Sequence, residues 1–278
     1  GAITGSSTIN GVGIISNISN FSGGILISDD ASTGTLSTAN FNTGFGTRVF
    51  EDLTSGDSNN AFGRVALANV TTGSHNVAVG GDALFTNTAA NKNTAIGSNA
   101  LAAFNVTTDT DTYNVAVGYA AGTAVTTGIQ NVIMGGLAGD ALTDADFNIA
   151  IGTSALSADT LGSKSVAIGH GALNVQNFTT ATDTFNTAVG YLAGAAITTG
   201  LSNTLLGAQT GDALTDADYN IAVGDLALSS DTLGTRSVAI GYATLTAQNF
   251  TTATNTFNVA VGHGAGNVVT TGVSNTLI

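Results

Sequence analysis

The sequence predicts an all-β chain wound as an elongated parallel β-solenoid, and three observations carry that expectation. A five-residue string, Asn76-Val77-Ala78-Val79-Gly80, read as N-x-A-φ-G with φ aliphatic or aromatic, returns at Asn93, Asn114, Asn148, Asn186, Asn220 and Asn258. Looser copies start at Asn42, Asn59, Asn131, Ser165, Asn203, Ser237 and Asn275, and the step is 17 residues except at 93–114, 165–186 and 237–258, where it is 21. Self-similarity at a fixed period is the mark of a repeat architecture. Within the string the residues alternate with period two and end at a Gly, so each copy reads as a strand of about four residues, too short for a helix.

Residues 1–41 are rich in Gly, Ser, Asn and Thr, with short apolar runs such as Ile14-Ile15 and Ile25-Leu26-Ile27, and do not fall into the repeat register. They are expected to be an N-terminal cap, which solenoid ends usually need, or a preceding fibre segment. Residues 42–278 form the array. Three steps of 17 and one of 21 make a super-period of 72, and residues 114–185 match 186–257 at 47 of 72 positions, so a four-coil unit reads as duplicated. Gly1 starts no signal peptide and Ile278 falls inside a repeat, so both ends read as cut from a longer chain.

The columns suggest what each coil does. The fourth residue of the string is apolar in all fourteen copies, the fifth is Gly in all thirteen complete coils, and the third is mostly Ala. The large aliphatic column is expected to fill the coil and the Ala column to face outward. Coils stacked about 4.8 Å apart would give an array roughly 60 Å long. A second strand is expected at Ala83-Leu84, Ala100-Leu101, Ala155-Leu156 and Ala172-Leu173, with Gly replacing Leu at Gly122, Gly139, Gly194 and Gly266. Where Gly stands, the residue three places on is aliphatic (Val125, Leu142, Ile197, Val269), and where Leu stands it is usually polar (Asn87, Asp159, Gln176, Asp231, Gln248), which reads as volume matching in a thin core. The Asn column reads as a hydrogen-bonded ladder. A narrow apolar Ala stripe would not stay in water, so self-association through the Ala column is expected.

The run Asn59-Asn60-Ala61-Phe62-Gly63-Arg64-Val65-Ala66-Leu67-Ala68-Asn69-Val70-Thr71-Thr72-Gly73-Ser74-His75-Asn76-Val77-Ala78-Val79-Gly80 resembles the N-T-A-I-G-x-x-A-L-x-x-N-T-T-G-x-x-N-T-A-I-G repeats of trimeric adhesin heads. Phage and virus tail fibres carry repeats in the same style. The resemblance covers residues 42–278. It implies a left-handed β-roll assembled as a homotrimer on an extracellular, cell-surface or virion-borne fibre. The 17-residue step and the 21-residue coils depart from the short-coil heads, so no binding residue is carried over.

Composition narrows the function. The chain has no Cys or Pro, and 18 acids against 5 bases give a net charge of −13, a balance that repels nucleic acid and anionic membranes. No apolar run approaches the ~20 residues of a membrane helix. Catalysis finds no support, because His75, His170 and His263 are scattered with no nucleophile or carboxylate at a consistent offset. Asp140, Asp144 and Asp146 recur as Asp212, Asp216 and Asp218, which makes them weak Ca²⁺ candidates and otherwise solvated turn acids. No other cofactor is expected.

The best candidates for recognition sit where the 17-residue beat breaks. The long coils carry the Thr-rich runs Asn105–Tyr113, Asn177–Phe185 and Asn249–Phe257. Asn177, Phe178, Thr179, Asn249, Phe250 and Thr251, with the large residues after the Gly turn (Tyr119, His170, Tyr191, Tyr242 and His263), are candidate contacts for a surface glycan or protein receptor. The competing reading is a purely structural subunit of a surface filament or tail fibre that has no ligand of its own.

Overall fold

The computed structural model describes residues 5–9, 12–18, 20–29 and 33–278. Among these residues there is no helix, and the chain is an all-β parallel β-solenoid, as its repeat predicts. It divides into two compact units, residues 1–136 and 137–278.

The first unit begins with an antiparallel meander of Gly5–Ile9, Val12–Ile18 and Phe21–Ser28. Phe21–Ser28 then pairs in parallel with Thr43–Phe45, placing Leu26 beside Gly44. Part of residues 1–41 therefore already runs in the register of the array. Thr43–Phe45, Asn60–Phe62, Val77–Val79, Thr94–Ile96, Val115–Val117 and Val132–Met134 follow, each strand beside the next with like positions aligned. The second unit repeats the pattern with Ile149–Ile151, Val166–Ile168, Thr187–Val189, Thr204–Leu206, Ile221–Val223, Val238–Ile240, Val259–Val261 and Thr276–Leu277.

The facing of the string is the reverse of the one expected. Ala61, Ala78, Ala95, Ala116, Ala150, Ala167, Ala188, Ala222 and Ala239 are fully buried within their own chain. The aliphatic column points outward, with Phe45 56% exposed and Leu206 48% exposed. Self-association through the Ala column is thereby excluded, since no sister chain can reach it. The reason is space. The interior behind each strand is already filled by the Leu of the next corner and the residue three places beyond it, so only a small side chain fits. At Gly44 an added Cβ would stand 2.7 Å from Leu26 Cδ1 and 2.9 Å from Val49 Cγ1.

The large residues in the Ala column, Ile133, Leu205 and Leu277, follow from the same limit. A Cβ on Gly122 would meet Ile133 Cδ1 at 2.9 Å, and one on Gly194 would meet Leu205 Cδ1 at 2.8 Å and Leu173 Cδ2 at 3.0 Å. A corner Gly makes room for a large residue in the next strand, as close packing demands.

The expected second strand is a corner instead. Leu67, Leu84, Leu101, Leu156 and Leu173 all have left-handed φ between 47° and 53°, and Gly122 and Gly194 share it at 59°. Leu carries a steric penalty in that region that Gly does not. Full burial of each Leu side chain offsets it.

The Asn column is buried and does two jobs. Asn59 Nδ2 donates to Gly73 O at 2.8 Å, closing its own coil. Its Oδ1 accepts the backbone N–H of Asn76 at 3.0 Å, one coil on. The same pair of bonds recurs at Asn114, Asn203 and Asn220. Side chains also meet directly, as where Asn93 Nδ2 donates to Asn76 Oδ1 at 3.1 Å. Interior amides satisfied this completely add order at little cost.

Candidate binding surfaces

With the ladder Asn and the Ala turned inward, four columns are left on the outer face of each coil. In the second unit they read Lys164, Val166, Ile168 and His170, then Phe185, Thr187, Val189 and Tyr191. After the coil of Ser202, Thr204, Leu206 and Ala208 come Tyr219, Ile221, Val223 and Asp225, and then Arg236, Val238, Ile240 and Tyr242. The centre is aliphatic and both flanks are rich in rings. Phe147, Phe185 and Tyr219, on the flank before the ladder Asn, hold left-handed φ of 60°, 53° and 58°. Bulky residues rarely adopt that region. A backbone bond to the preceding coil pins Tyr219, whose N–H donates to Leu201 O at 3.0 Å.

The candidate aromatics lie on the opposite flank, just after the Gly turn. Tyr119, Tyr191 and Tyr242 are 62%, 54% and 48% exposed. His170 and Tyr191 stack with ring centroids 5.5 Å apart, and Tyr242 and His263 stack at 5.1 Å. On the first flank, Lys92 lies 5.3 Å from the Tyr113 ring, Lys164 5.5 Å from Phe185 and Arg236 5.1 Å from Tyr219, distances at which a cation is drawn to a ring face.

The Thr-rich runs of the long coils form anchored excursions. Thr182–Asp183 pairs with Gly162–Ser163, and Thr254–Asn255 with Gly234–Thr235. Lys164 Nζ holds Asp183 at 2.5 Å, and Asn177 N donates to Thr198 O at 3.0 Å. Asn177, Thr179, Asn249 and Thr251 are exposed. Phe178 and Phe250, expected as contacts, are each only 7% exposed and pack under the loop. The two sets of candidates differ in kind: His170 stacks on Tyr191 and Tyr242 on His263 along the strand flank, while the exposed polar loop residues flank a buried Phe in sequence.

A further polar constellation escaped the sequence reading. Asp159, Gln176 and Ser165 are completely buried. Gln176 Nε2 donates to Asp159 Oδ2 at 2.6 Å and to Ser165 Oγ at 2.8 Å, and its Oε1 accepts from Asn186 Nδ2 at 2.9 Å. Asp159 Oδ1 accepts the backbone N–H of Gly162 and of Phe178, both at 3.0 Å. Ser165 Oγ meets Thr184 Oγ1 at 2.6 Å. Asp231, Gln248, Ser237 and Thr256 repeat the set 72 residues on. Where the ladder carries Ser instead of Asn, Gln and Thr supply the missing amide and hydroxyl. Burial pushes the Asp159 carboxyl above the usual carboxylate range, although its donors pull the other way.

Burial also raises the carboxyls of Asp140 and Asp212. The acids expected as Ca²⁺ candidates are dispersed: Asp216 Oδ1 accepts from Thr199 Oγ1 at 2.8 Å, and Asp218 Oδ1 accepts the backbone N–H of Leu201 at 2.8 Å. Among the described residues no group of three or more His, Cys, Asp or Glu side chains is placed to hold a metal ion. No helix among them is long and apolar enough to cross a membrane. No protein-family model matches the chain, and neither curated proteins nor solved structures give a match.

Proposed function

We propose that this chain is a non-enzymatic segment of an extracellular fibre or adhesin head, built from identical copies laid side by side and carrying a surface for a receptor or glycan. One observation carries the reading. In a single chain the strand face leaves Val189, Leu206, Val223 and Ile240 in contact with solvent along coil after coil, while Ala is spent on the interior. An apolar face of that length calls for a partner. Its rise per coil is matched best by another copy with the same rise. The homotrimer implied by the resemblance is one such assembly, formed through the aliphatic columns.

With that face covered, the exposed tips at 179–181 and 251–253 are the parts left to touch another molecule. They are held on a rigid scaffold, as recognition loops commonly are. Histidines 75, 170 and 263 stand in separate coils, two of them stacked on tyrosines, which suits a binding or structural surface better than a catalytic one. The localisation that goes with this function is a cell surface or a virion.

A structural filament subunit with no ligand is favoured by one detail. The hydroxyls of Thr160, Thr215 and Thr232 are spent on carbonyls of the next coil. A glycan array separates the two readings. A binding fibre gives reproducible hits that vanish when residues 179–181 and 251–253 are replaced by Gly-Ser; a blank array removes the recognition half of the proposal.

A further inference from the structure

Among the described residues, Arg236 is the one Lys or Arg side chain that forms no ion pair with a carboxylate. Of the five Lys and Arg residues, Arg48 pairs with Glu51, Arg64 with Asp82, Lys92 with Asp111 and Lys164 with Asp183. The 72-residue repeat places Asn255 where the two earlier units have Asp111 and Asp183. The Arg236 guanidinium therefore donates to the neutral amide oxygen of Asn255 and rests 5.1 Å from the Tyr219 ring.

On the other flank of the same face stands Asp225. It is the sole acid in the four outward columns of the second unit, and it is exposed. Nearby acids are engaged elsewhere: Asp216 by Thr199, Asp218 by the Leu201 N–H and Asp183 by Lys164, while Asp231 is buried. Ala208, one coil before Asp225 in the same column, is the smallest side chain on that flank of the second unit. No ion pair joins the two groups within one chain. Arg236 lies over Tyr219, just before the strand Ile221–Val223, and Asp225 stands just after it, past the Gly224 turn.

We propose that Arg236 of one copy pairs with Asp225 of its lateral neighbour, with the Tyr219 ring that carries the guanidinium seated beside Ala208. This rests on the self-association read above and adds which flanks meet. Arg236 and Asp225 belong to successive coils, about 4.8 Å apart along the stack, a rise that an Arg side chain spans. Contact between unlike flanks is heterologous, so it builds a ring where the rotation between copies closes and an open filament where it does not, never a two-fold dimer.

Sedimentation equilibrium over a range of concentrations tests the pairing on wild type, Asp225→Arg, Arg236→Asp and the double exchange. Circular dichroism serves as a fold check, since both side chains are exposed. Each single reversal is expected to raise the dissociation constant about 10-fold or more, and the double exchange to recover most of that loss, with both effects shrinking in concentrated salt. If copies associate but the single reversals change nothing, or the double variant is worse than either single, the pairing is wrong and the assembly stands. A wild-type chain that stays monomeric overturns both.

Discussion

Gln176 donates a 2.6 Å hydrogen bond to the Asp159 carboxylate one coil earlier, and both side chains are sealed from solvent. A buried carboxylate is tolerable only while its donors are present. Gln176→Leu removes one donor from Asp159 and also strips partners from Ser165 and Asn186. The expected loss is about 3 kcal/mol in urea unfolding. Adding Asp159→Leu to that variant should return part of it, because an apolar pair leaves no charge behind.

Burial raises the folded-state carboxyls of Asp159, Asp140 and Asp212 above their unfolded values. Their contribution is therefore fully present below the unfolded carboxylate range, near 3.9, and is lost as pH climbs through the higher folded values. Asp111 runs the other way. The Lys92 hydrogen bond lowers it, so its contribution is present above the unfolded value and falls away in acid. Melting followed as the pH is lowered from neutrality toward the unfolded carboxylate range should show a rise that is smaller in Asp159→Asn. A rise of equal size in that variant would mean that Asp159 plays no part.

Neighbouring residues of one strand should respond in opposite ways. Leu205 is fully buried and Leu206 is 48% exposed. Leu205→Asp places an unpaired charge in the core and should prevent folding of the coils around it. Leu206→Asp should leave the melting temperature nearly unchanged while weakening association of copies in sedimentation. Equal damage from both substitutions would contradict the facing described here.

Corner volume can be traded. Gly194→Leu should destabilise by several kcal/mol, because even a Cβ there would stand 2.8 Å from Leu205 Cδ1. Combined with Leu205→Ala it rebuilds the Leu corner and Ala strand of the other coils. Thermal unfolding should show the double variant more stable than either single.

How much of this was legible in the residues depends on what alternation encodes. The positions of the strands, the Gly turns and the ladder Asn could be read because phase holds through fourteen starts. Alternation also places the third and fourth residues of the string on opposite faces, but it does not say which face is inside when both columns are apolar. Assigning the larger side chains to the core failed because the coil is too narrow for them. The deciding signal was present in Ile133, Leu205 and Leu277, the large residues in the Ala column, each preceded by a corner Gly at 122, 194 and 266. Ser165, Gln176 and Asp159 likewise recur together as Ser237, Gln248 and Asp231, a co-occurrence that volume matching alone cannot explain. For the recognition candidates, exposure of Asn177 and Thr179 could be inferred from the loop composition. Burial of Phe178 could not, because it depends on how the inserted turn folds back.

The double use of each ladder Asn bears on how the chain reaches its native state. Asn203 closes its coil 14 residues ahead through Ala217 and captures the next ladder residue 17 residues ahead through Asn220. Closing loops this short is entropically cheap, and no step requires a search across distant sequence. A finished coil presents a preset acceptor to the one that follows, so folding can advance as a zipper whose speed is set by the coil and not by the length of the chain. Adding coils in such an array lengthens its reach without adding a slower folding step.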